Sequence, residues 1–98
     1  MNKILKNFQA WSNNMDNIPK IKQVYAKDNF HLLIKFENNL EKEYDCQQLL
    51  NRSIFKPLQN KAFFRSVKVD NGGYGISWND DIDISEYELW NNGKIIEH

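Results

Sequence analysis

With one cysteine, two prolines and four glycines in 98 residues, this chain has little of what staples or breaks a fold. The lone Cys46 cannot close an internal disulfide, so stability rests on a buried core, and the reading is a protein of a reducing cytoplasm. Net charge is absent as well. Thirteen Lys and Arg against thirteen Asp and Glu remove the global field that draws a chain to nucleic acid or to an anionic membrane. No apolar run approaches membrane-spanning length, and no basic-then-apolar leader with a small-residue cleavage site is expected ahead of the fold.

What is present is the composition of a small globule. The hydrophobic fraction of 41% and aromatic fraction of 13% suit one domain with one modest core. The charges are sorted along the chain: Lys3, Lys6, Lys20, Lys22 and Lys27 come early, Asp80, Asp81, Asp83, Glu86 and Glu88 late. We read this as two parts of one monomer attracting each other.

Residues 1–18 form an amphipathic extension. Ile4, Phe8, Trp11 and Met15 recur at spacings of four, three and four, one stripe of a helix, before an Asn-rich run and Pro19 end it. A helix this short is marginal alone, so the stripe is expected to pack on its own domain, on a second copy or on a partner.

Residues 19–93 read as an α+β domain, with 94–98 as a tail. From Ile21 the period becomes two, with Val24 and Ala26 alternating with Gln23, Tyr25 and Lys27. Asp28-Asn29 turns the chain into a strand with Phe30, Leu32, Ile34 and Phe36 on one face and His31, Leu33 and Lys35 on the other. Asn38-Asn39 turns again into Leu40, Lys42 and Tyr44, alternating with Glu41, Glu43 and Asp45. The result is an antiparallel meander. Asp45 with Gln48 suggests a capping box for a short helix that Phe55-Lys56-Pro57-Leu58 ends, and residues 60–64 suggest one more helical turn. Val67 and Val69 open a hairpin through Asn71-Gly72-Gly73, with Tyr74, Ile76 and Trp78 lining the return strand toward the core. Ser85 with Glu88 is a second capping box, starting a helix that stops near Gly93.

In this order the landmarks resemble a bacterial family known as domain of unknown function 2442. The similarity lies in Leu32 to Asn39, in Tyr44-Asp45-Cys46, in Phe55-Lys56-Pro57-Leu58, in Phe64 to Val69 and in Trp78 to Ile84, and covers about residues 20–90. The family usually has Gly where this chain has Asn39, and often Pro where it has Asn79 and Ser85; Asn and Ser keep the turn and cap chemistry. The resemblance implies small bacterial proteins, some fused to helix-turn-helix segments and some encoded beside toxin-like partners. It implies an interaction or regulatory module, antitoxin-like in its most concrete form, and no reaction.

Each candidate for chemistry has a plainer reading beside it. Asp80, Asp81 and Asp83, with Glu86, offer oxygens to a hard cation, and a small metal-dependent or catalytic domain centred on residues 80–86 is the alternative function. Their spacing fits no calcium loop, and acids just before a helix favour its positive end. His31 stands alone on its strand, His98 is the last residue, and a Cys46–His31 nucleophile and base has no sequence signature. Gly72-Gly73-x-Gly75 lacks the lysine and following helix of a phosphate loop. The outer face of the first hairpin mixes Tyr25 and Leu33 with Lys27, His31 and Lys35, but zero net charge argues against direct nucleic-acid binding. The expectation is a non-enzymatic protein, without cofactor, small-molecule ligand or membrane association, that binds a protein or itself. Its contact residues are read as Ile4, Phe8, Trp11, Met15, Tyr25 and Leu33, on surfaces with more apolar residues than one side of a small sheet can bury.

Overall fold

The computed structural model describes residues 18–97. The stripe Ile4, Phe8, Trp11 and Met15 lies outside the described residues, as does His98; Ile18, assigned above to the extension, is buried at the edge of the domain.

Two antiparallel sheets share one core. The first runs β1 (Ile21–Lys27), β2 (His31–Phe36), β3 (Glu41–Asp45) and β7 (Lys94–Ile95), paired in that order; the second is β4 (Lys68–Val69), β5 (Gly75–Ser77) and β6 (Asp83–Ser85). Helix α1 (Lys61–Phe64) precedes β4, and α2 (Glu86–Asn92) joins β6 to β7. This is an α+β domain, as the strand and helix signals imply. The tail expectation is corrected at its start: Lys94 and Ile95 pair with Glu43 and Lys42 and complete the first sheet.

The alternation in β2 decides which way the sheet faces. Leu32, Ile34 and Phe36 have no exposed surface, while His31, Leu33 and Lys35 between them are half-buried on the other side. Each large apolar side chain so buried contributes about 1.5–3 kcal/mol. Ile76 of β5, Ile84 of β6, Leu89 of α2, Leu58 and Phe64 close the same core from the second layer. The register of β1 on β2 sets Tyr25 beside Leu33 and Ala26 beside Leu32.

Turn chemistry follows the sequence, with corrections in detail. Asn39 adopts φ 71° as a turn Asn can, and the Asn38 side chain accepts from the Leu40 amide. Phe30 does not begin the strand. It sits in the Asp28–Phe30 turn at φ 61°, its ring edge-on to Phe64 at 5.4 Å. Asp45 accepts from the Gln47 amide instead of the Gln48 amide, and the helix expected there is a 3-10 turn, Gln47–Leu49. Pro57 does not end it. A separate 3-10 stretch, Ser53–Gln59, takes Pro57 inside and buries Leu58 completely. Ser85 does cap α2, accepting from the Glu88 amide at 3.1 Å.

The Gly72-Gly73 turn joins the layers. Both glycines have positive φ, and a Cβ on Gly73 would stand 2.6 Å from the backbone oxygen of Ile21, so only glycine lets the turn press on β1. The return strand differs from expectation at its start: Tyr74 points outward, 61% exposed beneath the Lys20 ammonium, while Ile76 and Trp78 are buried. Trp78 donates its indole N–H to the Phe64 carbonyl at 2.8 Å.

Candidate functional site

Because β2 and β3 keep their apolar residues for the core, their other face carries the residues left over, and the register arranges them in rows. Across the sheet, Tyr25 stands beside Leu33, Leu33 beside Glu43 and Glu43 beside Lys94; His31 lies between Lys27 and Asp45. Glu43 is the hub. One oxygen accepts from the Lys27 ammonium at 2.9 Å and the other from Nδ1 of His31, whose Nε2 lies 3.4 Å from Asp45. The hydrogen bond from His31, then that from Lys27, holds the Glu43 carboxyl below its ordinary range.

The structure therefore brings Tyr25 and Leu33 together, as expected, but in different surroundings. Tyr25 is 52% exposed with its hydroxyl on Gln23, and Leu33 is half-buried among charged neighbours. Among the described residues the expected apolar excess is not found on the faces of β1, β2 and β3 turned from the core: they form a charged lattice holding Tyr25 and Leu33. The order β1-β2-β3-β7 places it on a sheet wide enough to act as a rigid platform.

The acidic segment is not the single loop expected. Asn79 holds its first part, accepting from the amides of Asp81 and Ile82, each at 2.8 Å, with Asp80 and Asp81 exposed. Asp83 belongs to strand β6 and points to solvent, and Glu86 turns away to bond Lys20 at 3.2 Å. Among the described residues no three His, Cys, Asp or Glu side chains converge as metal ligands. Cys46 is fully buried and its thiol is pushed up to about 12, first by burial and then by Asp45. With both ring nitrogens of His31 against carboxylates, these two residues form no nucleophile and base. Ser77 gives its hydroxyl to Asp70 at 2.6 Å, tying β5 to the turn before it.

Two features escape the sequence. Lys42, on the apolar side of β3, is buried, and burial lowers its pKa. Its ammonium lies 3.9 Å from the Trp90 ring centroid and donates to the Trp90 carbonyl, a cation at the end of α2 where the helix dipole favours one. The second feature is a cleft of about 580 Å³ between β6, α2 and the 3-10 turns. Ile84, Leu49 and Phe55 supply apolar wall; Gln48, Arg52, Asp83 and Asn92 supply polar groups. Tyr44 and Glu88 meet there, the hydroxyl donating to the carboxylate at 2.8 Å, and burial followed by Glu88 raises the Tyr44 pKa far above that of a free tyrosine. The Ser85/Glu88 spacing reads as a self-contained cap, yet the Glu88 side chain serves Tyr44.

A two-sheet α+β domain whose first sheet turns one face to the core and, among the described residues, a charge-patterned face outward is the class these observations define. Within it, the chain belongs to the family described as protein of unknown function (DUF2442), whose model matches residues 21–94. Neither a curated protein nor a solved structure matches the chain. The match begins with β1 at Ile21 and ends at Lys94, the first residue of β7, so residues 1–20 lie ahead of it.

Proposed function

We propose that this domain is a non-enzymatic recognition module that binds another protein, with regulatory, antitoxin-like work in a bacterial cytoplasm as its most concrete form. The observation that carries the reading is the outer face of the first sheet, where an exposed Tyr25 and a half-buried Leu33 sit in a lattice of Lys27, His31, Glu43 and Asp45 whose ion pairs already hold the side chains in place. An aromatic framed by polar groups is the usual anchor of a protein interface, and prior ordering lowers the entropy cost of binding. In further support, the groups best suited to chemistry have structural duties: Cys46 fills core, Tyr44 bonds Glu88, and Lys42 caps α2.

Under the same reading the extension supplies further contact residues. Its stripe of Ile4, Phe8, Trp11 and Met15 precedes the matched family domain and needs a surface to cover it. Affinity capture from the native cell lysate tests the proposal. The tagged protein is expected to enrich one protein reproducibly, and the Tyr25→Asp variant to lose it while keeping its melting temperature. Equal capture by both proteins removes the sheet face from the account; no enriched protein removes the function.

A further inference from the structure

We infer that the cleft beside β6 is a peptide-binding groove, in which an extended segment of a partner, rich in basic side chains, adds to the second sheet as a fourth strand. The inference rests on the reading of the domain as a protein-binding module and names a second contact surface for it.

The backbone of β6 carries the first part of the argument. It is the end strand of its sheet, and its register on β5 sets Ser85 against Gly75, Ile84 against Ile76 and Asp83 against Ser77. The amide of Trp78 bonds the Ile82 carbonyl, and the amide of Glu86 bonds the Tyr74 carbonyl. In an antiparallel ladder the bonded pairs alternate, so Ile82 and Ile84 turn their polar groups, and Glu86 its amide, toward β5. Asp83 turns both of its groups, and Ser85 its amide, the other way, along an edge that no described residue pairs, while the Ser85 carbonyl starts the hydrogen bonds of α2. Gly75 agrees with this phase, since its carbonyl is taken by the Asp70 amide on the opposite side.

The surroundings of that edge carry the second part. A free edge is usually short, charged or covered to prevent pairing. Here it is short but opens on a cleft of about 580 Å³, within the range of ligand-binding pockets. Ile84 and Phe55 give alternate side chains of an added strand apolar wall, and Gln48 and Asn92 offer amides that donate and accept. Strand addition of this kind draws affinity from main-chain bonds and specificity from side-chain pockets.

Charge names the occupant. Among the described residues that line the cleft Arg52 is the one cation, against Asp83 and Glu88, and exposed Asp80 and Asp81 flank the approach to β6. Within the cleft Glu88 accepts from the Tyr44 hydroxyl. Lysine or arginine side chains on an incoming strand meet these acids, whereas an acidic strand meets like charge.

The probe is a blocked, fluorescein-labelled octapeptide of alternating lysine and threonine, titrated by fluorescence anisotropy and by amide chemical shifts of the full chain. The expected result is saturable binding that perturbs the amides of Asp83 and Ser85 most. It weakens at least tenfold with glutamate in place of lysine, with alternate peptide amides N-methylated, or in the Asp83→Lys variant. Absence of saturable binding overturns the groove, as does equal binding of the acidic or methylated peptide, or a shift pattern centred on Tyr25 and Leu33. Lysate capture separates this failure from that of the wider reading: if Asp83→Lys retains a captured protein that Tyr25→Asp loses, the binding module stands and the groove does not.

Discussion

Replacing Gly73 by alanine is expected to cost this domain about 3 kcal/mol, and the sum can be traced atom by atom. Gly73 has φ 77°, and a residue with a Cβ pays about 1–2 kcal/mol to stay in that region. The added Cβ would meet the Ile21 oxygen at 2.6 Å and the Ile21 nitrogen at 2.9 Å. Both are backbone atoms of a strand whose side chain is in the core, so β1 must shift, at the roughly 1–3 kcal/mol typical of overpacking. Against this, alanine restricts the unfolded chain and returns about 0.4–1 kcal/mol. Gly72 is the control. Its φ is 78°, but its Cβ would meet only the ring of Tyr74 at 2.8 Å, and that ring is exposed and able to swing. Gly72→Ala should therefore cost about 1 kcal/mol. Urea denaturation of the three proteins measures the difference, with unchanged slope and a larger midpoint loss for Gly73→Ala. Equal losses would refute the view that this turn presses the second sheet onto the first.

Other predictions concern groups with displaced titration and the acidic segment. The Tyr44 hydroxyl ionises at higher pH folded than unfolded, so its stabilising effect is complete below its unfolded pKa of about 10 and is lost as pH rises beyond that. Alkaline titration of stability should show this fall in the native protein and a shallower one in Tyr44→Phe, which at neutral pH loses about 1.5–3 kcal/mol with the bond to Glu88. Lys42→Met keeps the aliphatic stem but leaves the Trp90 carbonyl without its donor, at about 1–3 kcal/mol by thermal melting, with altered Trp90 fluorescence. Millimolar calcium, magnesium or zinc should leave the melting temperature unchanged; a rise reversed by removing Asp80, Asp81 and Asp83 would revive the metal-site alternative.

Where the sequence was informative, the cause was local. The Leu32-Ile34-Phe36 alternation, the Asn38-Asn39 turn and the Ser85 side-chain cap each depend on neighbours within a few residues, and each stands as read, apart from Phe30 at the start of the row and the return bond expected from Glu88. The misplacements have non-local causes. Strands β6 and β7 have three and two residues, too few for a period of two to show, and β7 pairs with a strand far back in the chain. Tyr74 has the right parity for the core, but it precedes the strand and the positive φ of Gly72 and Gly73 turns it out over Lys20. Lys42 looks like a break in an apolar face until α2 ends above it. The cleft was invisible for the same reason: its walls come from β3, the 3-10 turns, β6 and α2, and no short motif spans them. That Tyr25 and Leu33 face away from the core was legible from strand parity alone; that the lattice around them is ionic follows from cross-strand register, which a single strand does not reveal.

The central claim is recognition of a protein through the outer face of the first sheet. Its most direct test is calorimetric titration of the captured partner against the native domain and against Tyr25→Ala/Leu33→Ala. At least a tenfold loss of affinity, about 1.4 kcal/mol, with an unchanged fold by circular dichroism is predicted. Unchanged affinity in the doubly substituted protein would contradict it.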